Sequence, residues 1–126
     1  MILRIARHTN RIKEITQFYT GVIGLEIIGQ FENHDGYDGI FIGKKNLGWH
    51  LEFTTSATAA AHIFDEDDLL VFYPESVGEY QSILKSIALQ KLEIHVPKNP
   101  YWRENGILVT DPDGFGIIIS SLHIGN

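Results

Sequence analysis

The chain contains no cysteine, which excludes disulfides, thiolate metal sites and a cysteine nucleophile. Positive charge is scarce. Ten Lys and Arg stand against 16 Asp and Glu, a formal net charge of −6, so the basic face of a nucleic-acid binder is not expected. No apolar run approaches the ~20 residues of a membrane span, and no membrane partner is expected. The amino terminus, Met1-Ile2-Leu3-Arg4-Ile5-Ala6-Arg7, lacks the long apolar core of a secretion signal. Together with the missing cysteines, this makes a cytoplasmic location the expectation. Neither a glycine-rich phosphate loop nor a Ser-x-x-Lys or Gly-x-Ser-x-Gly nucleophile motif occurs.

What is present is an ordinary globular composition, 44% apolar and 21% charged over 126 residues, enough for a single domain with a core. Alternation of apolar and polar residues predicts a strand over 2–9. Asn10 is the expected N-cap. Ile12, Ile15, Phe18, Tyr19, Val22 and Ile23 recur at helical spacing, and Gly24 ends the run. Strands follow over 25–32, 40–43 and 49–54. Between the first two lies Asn33-His34-Asp35-Gly36-Tyr37-Asp38-Gly39, read as a hairpin turn in preference to a ligand or metal loop.

The second half repeats this order. Strand 69–73 is stopped by Pro74. Ser76-Val77-Gly78-Glu79 is a capping box for a helix carrying Val77, Tyr80, Ile83, Leu84 and Ile87. Strands are predicted over 92–96, 107–110 and 115–120, with 97–104 a loop. The last two strands are joined by Asp111-Pro112-Asp113-Gly114, strong turn chemistry in which an Asp carboxylate bonds the backbone ahead and Gly114 tolerates positive φ. The whole is therefore an α+β domain of two βαβββ modules, 1–55 and 68–123, joined by a linker over 56–67. Each module has little core of its own.

Phe18-Tyr19 followed by Gly24-Leu25-Glu26, then His50-Leu51-Glu52-Phe53, then Asp111-Pro112-Asp113-Gly114 resemble, in order and spacing, the signature of the vicinal oxygen chelate superfamily. That group includes glyoxalase I, extradiol dioxygenases and bleomycin- and fosfomycin-resistance proteins. The resemblance implies paired modules whose curved mixed sheet forms a cup, a homodimer, and a divalent metal in the cup. It places the four ligand positions at Arg4, Glu52, near Asp68 and at Ile118. Arginine has no lone pair to offer and isoleucine has no donor, so only Glu52 and Asp68 could hold a metal, and no cofactor is expected.

An arginine fork suits a carboxylate or phosphate instead. His50 and Glu52 lie two apart on one strand and share a face. His8 shares parity with Arg4 and is read as a polar rim residue. The pair Tyr101-Trp102 offers amphipathic ring surface in a proline-held loop. Arg4, His50, Glu52, Asp68, Tyr101 and Trp102 are thus the candidate ligand-binding residues. Arg4 is expected to neutralise a buried carboxylate, with Arg4→Leu costing on the order of 3 kcal/mol. Three functional readings stay open: a small-molecule binding or sequestering protein without a metal, a metal-assisted lyase, isomerase or dioxygenase, and a non-catalytic interaction module.

Overall fold

The computed structural model describes residues 1–124. The chain divides into two compact units, with the boundary between His62 and Ile63.

The first unit runs β1 (Leu3–His8), α1 (Ile12–Gly21), β2 (Glu26–His34), β3 (Tyr37–Gly43) and β4 (Trp49–Thr55). Its sheet has the order β1-β4-β3-β2. β1 pairs parallel with β4, while β3 pairs antiparallel with both β4 and β2. The apolar stripe of α1 buries Ile15, Phe18 and Tyr19. Tyr19 stacks on Phe53 at 5.1 Å between ring centroids, and the Arg7 guanidinium lies 5.2 Å from the centroid of the same ring and donates to the Tyr19 hydroxyl at 3.3 Å. Leu51, Phe53, Ile40 and Ile42 are buried beneath. They alternate along their strands with Glu52 and Phe41, which the pleat therefore turns to the opposite face.

Two expectations for this unit change. The N-cap is Arg11, with no side-chain cap. The Thr9 hydroxyl accepts the Arg11 N–H at 3.0 Å, and Asn10 exchanges both of its amide groups with the Ala60 backbone. Asn10 is thus drawn away from the helix by a stronger two-bond partner. The segment around Asp35-Gly36 is the hairpin turn foreseen, but much tighter: the ladder continues to His34 and Tyr37. Asp35 and Gly36 take φ of +52° and +85°, the backbone of a type I′ turn. The Asp38 carboxylate accepts the Asn33 N–H at 2.8 Å.

The second unit runs β5 (Leu69–Phe72), α2 (Val77–Leu89), α3 (Pro100–Asn105), β6 (Gly106–Thr110) and β7 (Gly116–Ser120). The sheet order is β5-β7-β6, β5 parallel and β6 antiparallel to the central β7. This is the pairing of the first unit with its outer strand reduced. Residues 92–96 form a single bridge, His95 to Leu108, rather than the predicted strand. Ile94 and Val96 stay exposed, and Pro97 has no N–H to extend a ladder. The predicted loop over 97–104 holds α3 instead. Asn99 caps it by accepting the Tyr101 N–H at 3.0 Å, and Pro100 occupies the first turn. Ser76 accepts the Glu79 N–H at 3.0 Å, the first half of the capping box.

The turn before β7 is built on Asp111, which is only 3% exposed. One carboxylate oxygen accepts the N–H groups of Asp113 at 2.9 Å and Phe115 at 3.1 Å. Gly114, at φ +89°, donates to the Asp111 carbonyl at 2.8 Å. Among the described residues, no helix is long and apolar enough to cross a membrane.

Candidate functional site

The face of the first sheet opposite α1 gathers Arg4, His50 and Glu52. The parallel register sets Arg4 beside His50 and Ala6 beside Glu52, and the antiparallel register sets Phe41 beside Glu52. Alternation then brings these side chains to one surface. The Arg4 guanidinium lies over the Phe41 ring, 4.7 Å from its centroid. Its Nε donates to His50 Nε2 at 3.1 Å. Since arginine can only donate, His50 accepts as the neutral ring with its proton on Nδ1. Nη1 stands 3.8 Å from a Glu52 carboxylate oxygen, an ion pair too long for a hydrogen bond. Phe41 meets His50 edge-on at 5.9 Å and Phe31 at a tilt at 5.8 Å. The far end of the Phe31 ring fills the space beside Gly39 where a Cβ would stand. A cation thus sits on an aromatic floor, with one end fixed by an imidazole and the other beside a carboxylate.

The depth of this cluster corrects one expectation. The Arg4 side chain is 53% exposed and that of Glu52 14%, because β1 is an edge strand of its sheet. A half-exposed ion pair at this distance is screened by water. The coupling in a double-mutant cycle of Arg4→Leu and Glu52→Gln is therefore expected below about 1 kcal/mol, well short of the few kcal/mol expected for a buried pair. Urea denaturation of the four proteins measures it. A coupling above about 2 kcal/mol would show that water is kept from the pair.

The other candidates have the following surroundings within their own units. Asp68 belongs to the second unit, where its carboxylate accepts the Asp65 N–H at 3.1 Å and closes the turn into β5. Tyr101 and Trp102 sit on α3, edge-to-face with each other at 4.8 Å, with Trp102 tilted against Tyr73 at 6.5 Å. His8 is tied to the end of β4 and to the chain after it, its Nδ1 to the Thr54 hydroxyl at 2.8 Å and its Nε2 to the Thr58 carbonyl at 3.0 Å. Ile118 is fully buried at the centre of β7.

Sequence reasoning missed a cavity of about 510 Å³ in the second unit. Its apolar lining includes Phe64, Val96, Pro97 and Leu108, with Phe64 edge-on to Phe115 at 4.7 Å. Asp65, Glu66, His95, Lys98 and Arg103 also line it. The signal that could have found it is the pair of cations, Lys98 and Arg103, flanking Asn99-Pro100-Tyr101-Trp102.

Among the described residues, no group of three or more His, Asp or Glu side chains is arranged to hold an ion. In the Arg4 cluster of the first unit, His50 and Glu52 already face the Arg4 cation. A dication there would add charge repulsion to the loss of those contacts.

Residues 3–54 match the YycE-like N-terminal domain and residues 67–121 the YycE-like C-terminal domain. The uncharacterised protein YycE of Bacillus subtilis (strain 168) is 39% identical over 120 residues, which span 92% of this chain and 84% of that protein. The chain belongs to the YycE-like family. A 2.0 Å crystal structure of a B. subtilis YycE protein, of unknown function and described as a candidate glyoxalase/fosfomycin resistance protein, superposes with a TM-score of 0.85 at 34% identity, covering 99% of this chain and 90% of that one. The trypanothione-dependent glyoxalase I of Leishmania major superposes with a TM-score of 0.72 at 19% identity, over 95% of this chain and 85% of that one; at that identity the likeness is one of fold. This YycE-like chain therefore has the α+β fold of the vicinal oxygen chelate superfamily, as its motifs led one to expect.

Proposed function

We propose that this YycE-like protein binds and holds a small organic anion at the Arg4 face of its first sheet, without a divalent metal and without chemical turnover. The observation that carries this reading is the Arg4 guanidinium, seated on Phe41 and anchored through Nε to His50. It supplies a fixed positive charge at the sequence position where the superfamily places a metal ligand. Among the described residues its Nη2 has no partner. A carboxylate or phosphonate could take that donor, and a flat apolar body could rest on Phe41 and Phe31.

The test is calorimetric titration with benzoate, phenylphosphonate and benzyl alcohol. The two anions should bind and the neutral alcohol should not compete. Arg4→Met should weaken anion binding by about tenfold or more, the size of one charge-assisted hydrogen bond. Equal binding of the alcohol, or an unchanged affinity in Arg4→Met, would refute the reading. Protein purified without chelators should carry well under one equivalent of Zn, Mn, Fe or Ni, and EDTA should leave its melting temperature unchanged. A stoichiometric ion that is lost in Glu52→Gln would favour the metal-assisted alternative.

A further inference from the structure

We infer that the cavity of the second unit is a site for a small zwitterion of dipeptide size, a molecule with a free ammonium, a free carboxylate and an apolar body between them. Five ionisable residues of both signs line one cavity of about 510 Å³, within the usual range for small-molecule sites. Opposite charges sharing so small a space would ordinarily pair. Here, among the described residues, neither Asp65 nor Glu66 forms an ion pair with Lys98 or Arg103.

The backbone holds two of them in place. Arg103 donates from Nε to the Pro97 carbonyl at 2.7 Å and from Nη2 to the Lys98 carbonyl at 3.2 Å, leaving its Nη1 without a partner among the described residues. Asp65 accepts the Asp67 N–H at 2.9 Å through one oxygen, and the other has no partner among the described residues. The Glu66 and Lys98 side chains make no hydrogen bond or ion pair with any described residue. A lone anion would satisfy only the cations, and a lone cation only the carboxylates. A dipolar molecule answers both, and its middle meets Phe64, Val96 and Leu108. Two extended residues place amine and carboxylate roughly 7 Å apart, a span that such a cavity accommodates.

This site uses residues distinct from those of the Arg4 face, so the failure of either reading is separable from the failure of the other. The experiment is calorimetric titration of the full chain with leucyl-leucine, N-acetyl-leucyl-leucine and leucyl-leucinamide. The free dipeptide should bind at least tenfold more tightly than either blocked form. Glu66→Gln should abolish the advantage of the free amine and Lys98→Gln that of the free carboxylate, each with an unchanged melting temperature. Equal affinity for the three compounds, no binding at millimolar concentration, or preferences that survive both substitutions would each overturn the assignment.

Discussion

Replacing Asp111 with alanine is expected to lower the free energy of unfolding by about 3 kcal/mol. The carboxylate is nearly inaccessible, and one of its oxygens satisfies the N–H groups of both Asp113 and Phe115. Alanine leaves those two donors without a partner in a place where water enters poorly, and unmet buried donors cost about 1–3 kcal/mol each. The turn also sets the register of the last hairpin, since Asp111 N–H donates to the Phe115 carbonyl at 2.9 Å. Asp111→Asn keeps an acceptor oxygen in the same position and should lose only about 1 kcal/mol. Urea denaturation curves with a common slope would measure both. Should alanine fall within about 0.5 kcal/mol of the parent, the turn would be held by Pro112 and Gly114 and not by the carboxylate.

The second large effect concerns Ile118, the position at which the family resemblance leads one to expect a metal-binding carboxylate. Ile118→Glu is expected to cost more than about 4 kcal/mol, leaving little folded protein at ambient temperature. Ile118 is fully buried on the central strand, opposite Val71 on one side and Leu108 on the other. Its Cγ2 fills the space above Gly106, where a Cβ would come within 2.6 Å. A carboxylate in that position would have neither water nor a cation. Ile118→Val removes one methylene and should cost about 1 kcal/mol. Circular dichroism melts of the two variants distinguish a packed position from an open one. A glutamate variant as stable as the parent, and loaded with one equivalent of divalent metal, would mean that the site had merely lost its ligand and kept its room.

Much of the architecture was legible because it rests on local chemistry. The helical spacing of Ile15, Phe18 and Tyr19 needs no partner to be read, and all three are buried. Ser76 and the Asp111 turn announce themselves by residue type. What escaped depends on neighbours. Asn10 is a good cap in isolation, but the backbone at Ala60 offered it two bonds. Asn99-Pro100 is a helix start that the two prolines of its segment disguised as a loop. Leu92 to Val96 has a strand's alternation, yet only His95 finds a bridge. Strand parity grouped His50 with Glu52, and the family resemblance added Arg4 to them. Their exposure was not legible, because no sequence pattern says which strand lies at a sheet's edge. The cavity was hardest to foresee, since its lining comes from segments around 64–66, 95–98, 103 and 108–116 that share no motif.

Phe31 lies in the space that a side chain at position 39 would need. The aromatic floor beneath Arg4 is therefore conditional on a hydrogen atom. Any other residue at 39 pushes the ring off the sheet, whatever residues stand at 4, 41 and 50. The order in which such a surface can arise is constrained: the glycine has to precede the phenylalanine, or the ring has nowhere to lie. A relative bearing alanine at this position should pair it with a small or polar residue at position 31, and the two sites should change together or not at all.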